Sequence, residues 1–191
     1  MIICRPAKRE DASKIAPIML LAMEEIAYYF IGERNQEKAV ALLKLFIERT
    51  DNQYGYNHII VAEEEGEIWG QLCLYDGAKL DELRQPILDY LEETHAVTIP
   101  SEDKETQAGE IYIDTIAVSP KAQGKGIGKL LLNYAIETYV KDQGKTLGLL
   151  VDQDNPAAKR LYLNMGFKIV KPLHIFKKNM EHLQYTLAQE S

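Results

Sequence analysis

Apolar and polar positions alternate with period two from Glu110 to Val118, in a run rich in Ile, Val, Tyr and Thr that predicts a strand. Ser119-Pro120 ends it, because Pro120 has no amide to give to a ladder. From Ile127 the period changes: Ile127, Leu130, Leu131 and Tyr134 fall on one face of a helix. Upstream, the pattern predicts a strand at Ile2–Arg5 and a helix from an Asp11 N-cap to about Ile31, with Pro17 tolerated near its first turn and Gly32 stopping it. A second amphipathic helix is expected over 35–50, from Val40, Leu43 and Ile47. His58–Glu63 and Glu67–Tyr75 read as a hairpin about Glu64-Glu65-Gly66, with Trp69, Leu72 and Leu74 as sheet or core residues. Leu80–Leu91 is helical in character but interrupted by Pro86, and Thr98–Ala108 is a polar loop, either a lid or an insertion with no role. Beyond the Ile127 helix, Gly144 is a C-cap and Leu147–Val151 a short buried strand. Asp154-Asn155-Pro156 opens another helix, with Ala158, Leu161 and Met165 on one face, and strands are expected at Lys168–Val170 and near Glu181–Leu187.

At 191 residues this is one domain on size. The net charge of −7 is concentrated between Asp76 and Glu110, where ten acids face three bases. An acidic balance of this kind disfavours nucleic acid as a partner. The segment, an acidic insertion over about 76–109, is either a solvated surface or one that attracts cations. No apolar run approaches the roughly 20 residues a bilayer requires, and the apolar start at Met1 is too short for a signal peptide, so no membrane association is expected. Cys4 and Cys73 form no CxxC and predict reduced thiols in a cytoplasmic protein. His58, His95, His174 and His182 have no metal-ligand spacing, so no metal is expected.

Between strand and helix lies Gln123-Gly124-Lys125-Gly126-Ile127-Gly128-Lys129. Glycines here let backbone amides approach a ligand at the positive end of a helix dipole, which is the physics of an anion site. Walker A fails, because Leu130 follows Gly128-Lys129 where a hydroxyl is needed. The dinucleotide fingerprint fails too, since its third glycine falls on Lys129. The spacing of Gln123, Gly126 and Gly128 fits a third pattern, Gln/Arg-x-x-Gly-x-Gly/Ala.

That pattern, preceded by Ile116-Ala117-Val118-Ser119-Pro120 and followed by Asn155-Pro156-Ala157-Ala158-Lys159-Arg160-Leu161-Tyr162 with Gly166-Phe167, resembles the GCN5-related N-acetyltransferase (GNAT) family. The likeness is strong over about Glu110 to Val170 and only architectural before it. It implies an α/β fold with a central, mostly antiparallel sheet of splayed strands flanked by helices, in the order β-α-α-β-β-β-α-β-α-β-β. It also implies acetyl-CoA as co-substrate. The backbone of Ile116, Ala117 and Val118 would hold the pantetheine arm. The amides from Gln123 to Lys129 would take the pyrophosphate, with charge from Lys125 and Lys129, and Asn155 would contact the arm. Tyr162 matches the family's general-acid tyrosine.

An amine must lose a proton before it attacks a thioester. By alternation Glu110 and Asp114 share a strand face with Tyr112, Ile116 and Val118, which makes both carboxylates base candidates; an amide of this strand, such as that of Val118, would stabilise an oxyanion. The expected activity is acetyl transfer to a primary amine by direct attack, in a monomer or homodimer. The acceptor is a small molecule or a protein amine, and the acidic segment favours a cationic one. The alternatives are a CoA-binding module without catalysis and transfer of a longer acyl group.

Overall fold

The computed structural model describes residues 1–95, 104–175 and 177–187. Residues 98–103 of the expected polar loop, and with them Glu102 and Asp103, lie outside these. The described elements are β1 (Ile3–Pro6), α1 (Ala12–Ile31), α2 (Gln36–Ile47), β2 (Ile59–Glu64), β3 (Glu67–Asp76), α3 (Leu80–His95), β4 (Ile111–Val118), α4 (Ile127–Ala135), β5 (Leu147–Asp152), α5 (Pro156–Asn164), β6 (Lys168–Ile175) and β7 (Lys178–Tyr185). They build a seven-stranded sheet in the order β1-β2-β3-β4-β5-β7-β6. Neighbours are antiparallel except β4 and β5, which run parallel.

Each sheet face carries its own core. On one, Ile15, Met19 and Met23 of α1, Leu43 and Phe46 of α2 and Ile87 and Leu91 of α3 meet Val61, Cys73 and Ala117. On the other, Ile127, Leu131 and Leu132 of α4 and Tyr162 of α5 meet Leu72, Leu74, Ile111 and Ile113. Burial of this apolar surface is the main term holding both layers to the sheet.

Four sequence expectations change. The element order gains α3 between β3 and β4, and Pro86 lies inside it without ending it. Pro86 gives up one backbone bond, but Leu80, Leu83, Ile87 and Leu91 form one continuous buried stripe that holds the helix down. β6 runs to Ile175, well past Val170: it is an edge strand paired only with β7, exposed along most of its length, and so carries no apolar alternation to read. An edge also accommodates Pro172. Asp11 precedes α1 but does not cap it; its carboxylate accepts from the Lys8 amide (2.8 Å) and pairs with Arg5 (2.7 Å). On α4, Leu130 is exposed, and the buried positions are Ile127, Leu131, Leu132 and Ala135.

Candidate active site

β4 and β5 pair only through Ile111, Tyr112 and Ile113, opposite Leu147, Gly148 and Leu149. Both strands continue, to Val118 and to Asp152, without further pairing, so a notch opens between them. Asp114 stands at the fork. It is the extra residue of a β-bulge: Cys73 faces Thr115 and Leu74 faces Ile113 across β3. The bulge breaks the alternation read from the sequence. Glu110 and Tyr112 do not share a face with Ile116 and Val118; those two pack on the α4 side with Ile111 and Ile113, while Tyr112 packs with Tyr75 opposite. The Ser119 amide is given to Trp69 O on β3 (2.8 Å). Alternation therefore turns Ala117 to β3 as well and leaves the backbone groups of Ile116 and Val118 facing the notch. The Ala117 side chain joins the α1 core.

At the end of the notch the chain turns through Pro120–Ala122 into the glycine loop. Gly124 and Gly126 have φ of 78° and 77°, in the left-handed region that favours glycine, and a side chain on either would point into open space. Gly126 caps α4. The Leu130 amide bonds to Gly126 O (3.0 Å), so the amides of Ile127, Gly128 and Lys129 precede the first intrahelical bond. Gln123, Lys125 and Lys129 are exposed around them, and the Lys125 ammonium lies 5.8 Å from the Trp69 ring centroid.

α5 flanks β5. Asn155 caps it, with Oδ1 accepting from the Ala158 amide (3.1 Å). The cap uses only the carbonyl oxygen of an exposed side chain whose NH₂ is also a donor. Tyr162 is buried against Phe167, ring centroids 5.9 Å apart. Burial pushes its hydroxyl up to about 12, so it keeps its proton across the working range.

The two carboxylates sit in different surroundings. Asp114 is half-buried, and both its bonds reach one oxygen: Oδ2 accepts from Tyr75 Oη (2.6 Å) and Gln53 Nε2 (3.0 Å). Burial pushes its carboxyl above the ordinary carboxylate range, against the pull of those two bonds and of the Arg84 charge. Glu110 is fully buried and lies over Gly148. Its Oε2 takes His182 Nε2 (2.8 Å) and Gln184 Nε2 (2.7 Å), and Thr106 Oγ1 reaches Oε1 (3.4 Å).

A β-carbon on Gly148 would collide with that carboxylate. Gly148→Ala is therefore expected to cost about 2 kcal/mol, the usual penalty for leaving buried polar groups unpaired. Urea unfolding of the variant measures it; a loss under about 0.5 kcal/mol would show that Glu110 relocates freely.

Residues 19–167 match the acetyltransferase (GNAT) family. The chain belongs to this family. GNAT acetyltransferases are acyl-CoA-dependent acyltransferases, and the family uses acetyl-CoA. A crystal structure of an acetyltransferase superposes with a TM-score of 0.81 at 31% identity, covering 97% of this chain and all of that one. An N-acetyltransferase from Staphylococcus aureus Mu50 shares the fold, with a TM-score of 0.79 at 23% identity over 96% of this chain and all of that one. A Salmonella typhimurium protein solved with its cofactor acetyl-CoA does so at a TM-score of 0.58 and 17% identity, over 100% of this chain and 96% of that one. The mycothiol acetyltransferase of Tsukamurella paurometabola is 30% identical over 120 residues, which is 60% of this chain but only 38% of that protein. The chain thus spans under two-fifths of the length of this curated relative. Among the described residues of this GNAT chain, no single helix is long and apolar enough to cross a membrane.

The glycine loop follows β4 directly, Asn155 caps α5 beyond the end of β5, and Tyr162 lies in the core beneath α4 and α5. Sequence reasoning missed Tyr75 and Gln53, which hold Asp114, and His182 and Gln184, which hold Glu110. The signal for the second pair was present as the polar positions of β7, but nothing local in the chain told which strand they would face.

Proposed function

We propose that this chain acetylates a primary amine by direct attack, with Asp114 as the base and Tyr162 as the acid. Acetyl-CoA, when bound, supplies the activated acetyl group as a thioester. The residues present fit that group: first-turn amides at α4 that precede its first intrahelical bond, glycines at 124 and 126 with open space where a side chain would be, and a β4 edge unpaired with β5 beyond Ile113. The amides of Gln123 to Lys129 would hold the pyrophosphate, the Ile116 and Val118 backbone the pantetheine arm, and Asn155 would donate to that arm.

The observation that carries the reading is Asp114 itself. It stands where β4 leaves β5, and among the described residues neither of its hydrogen bonds uses Oδ1. That oxygen is free to take the amine proton, and a raised pKa makes it a better base than an ordinary surface carboxylate. Glu110 is set back along β4 with its oxygens already engaged, and it lacks this freedom. Tyr162 Oη holds a proton for the leaving sulfur.

Release of CoA, followed with a panel of primary amines, tests the reading. Turnover with at least one amine is expected. Tight acetyl-CoA binding without turnover of any would instead make the chain a binding module.

Gly126→Ala should raise KM for acetyl-CoA about tenfold, because a left-handed backbone costs a side-chain-bearing residue roughly 1–2 kcal/mol and the loop would shift to relieve it. An unchanged KM would remove these amides from the binding site.

A further inference from the structure

Asp114 is met from outside the sheet by a loop residue. Gln53 lies between α2 and β2 and is almost wholly buried. A buried loop must find partners for its backbone. The Gln53 amide bonds Leu83 O on α3 (3.1 Å), and its carbonyl accepts from Cys73 Sγ on β3 (3.2 Å). Asn52 pins the same loop to the end of α2: Nδ2 donates to Phe46 O (2.9 Å), and Oδ1 accepts from the Tyr54 amide (2.9 Å). Gly55 completes the turn, since a β-carbon there would meet Arg49 O at 2.5 Å.

With the backbone held by α3 and β3, the side chain reaches β4. Gln53 Nε2 donates to Asp114 Oδ2 (3.0 Å), the oxygen that also accepts from Tyr75 Oη (2.6 Å). An ionised carboxylate only accepts, so the network turns the Gln53 NH₂ to it and not the amide oxygen. Two donors on one oxygen favour the ionised form and fix the plane of the carboxylate. The other titratable or charged groups close to Asp114 are Tyr54 of the loop, Cys73 of β3, Tyr112 of β4 and Arg84 of α3, which pairs with Glu105 (2.7 Å). A packing role at position 53 would suit an apolar side chain of the same length. A buried amide is costly unless its hydrogen bond is used.

We propose that Gln53 is a positioning residue for acetyl transfer: anchored to α3, it joins Tyr75 in keeping Asp114 Oδ2 occupied, so that Oδ1 alone meets the amine. This rests on the assignment of Asp114 as the base. It gives α3, in the acidic segment, a part in the reaction through its backbone rather than through its charges.

Gln53→Met keeps the length and both backbone bonds and removes the amide. In the full chain, with acetyl-CoA and the amine of the CoA-release panel that turns over fastest, kcat should fall about tenfold, as for one lost bond to a charged group, with KM for acetyl-CoA unchanged. Losing a donor disfavours the ionised carboxylate, so the acid limb of the rate should move to higher pH. Gln53→Glu, which puts a charge in place of the donor, should move it further. A packing role predicts neither the shift nor that order. The ¹³C titration of the Asp114 carboxyl reads the bond apart from turnover, and its midpoint should rise in step with the limb. A midpoint that rises while the rate profile stays put defeats Asp114 as the base, and the proposal with it. A midpoint unchanged in Gln53→Met overturns the proposal alone. Where the variants fold poorly, the wild-type chain decides. The Gln53 side-chain NH₂ signal should titrate with the Asp114 midpoint, and the Gln53 backbone amide should exchange slowly with solvent. An NH₂ signal indifferent to that titration overturns the clamp, and fast backbone exchange overturns its anchorage to α3.

Discussion

Asp114→Asn is expected to lower kcat/KM for the amine about 10³-fold at neutral pH, the usual size of a lost general base. The substitution is well suited to the question because it need not disturb the site. Tyr75 and Gln53 both donate to Oδ2, and an asparagine carbonyl oxygen in the same place accepts from both. What is lost is the other oxygen and the charge. The pH profile is the sharper readout. A base must be deprotonated to act, and burial raises the Asp114 pKa in the folded state. Wild-type activity should therefore fall on the acid side at a pH above the ordinary carboxylate range, and the variant should lack that limb. Stability moves the other way. A carboxyl whose folded pKa lies above its unfolded value binds protons more tightly in the native state, so wild-type stability falls as pH rises from the unfolded pKa through the folded one. Above that window the variant should melt no lower than wild type while being far less active. A loss of less than about tenfold, with the acid limb intact, would make Asp114 a residue that only fixes the bulge, and would return the base to Glu110 or to water.

The same residue marks the limit of what the chain reveals before folding. The glycine loop and the Asn155–Phe167 segment are contiguous, and their chemistry depends on neighbours in sequence: a left-handed glycine at a helix start, an asparagine cap before a proline. These were legible at residue level, and the family follows from them. Alternation along β4 was legible too, but the inference from it was wrong past Ile113, because one extra residue opposite β3 reverses the parity of everything after it. A bulge is set by pairing with another strand, and no local pattern announces it. The partners of both carboxylates are hidden for the same reason. Gln53 and Tyr75 reach Asp114 across 61 and 39 residues, and His182 and Gln184 reach Glu110 across 72 and 74. Gly148 was invisible as a site-shaping residue; it reads as an ordinary strand glycine until the Glu110 carboxylate is seen to lie where its side chain would be. α3 was half-read, since Pro86 argued against a helix whose buried stripe only the sheet explains.

Tyr162→Phe should reduce kcat about 10²-fold with little change in KM for acetyl-CoA, the loss expected when a general acid is removed. The ring packs against Phe167 inside the α4–α5 core, and the substitution keeps that packing. Among the described residues the hydroxyl makes no hydrogen bond, so its removal should shift stability by less than about 1 kcal/mol. Thermal melting and kcat then separate structure from chemistry: an unchanged melt with a large rate loss assigns the hydroxyl to the reaction. Protonation adds a second criterion. Because burial holds the hydroxyl proton up to about 12, Tyr162 contributes no alkaline limb through the range where the enzyme is assayed, and the rate ratio of wild type to variant should stay flat from neutral pH upward. A ratio that collapses in that range would mean the proton comes from elsewhere. A rate loss under about threefold would leave Tyr162 as a packing residue, with water protonating the sulfur.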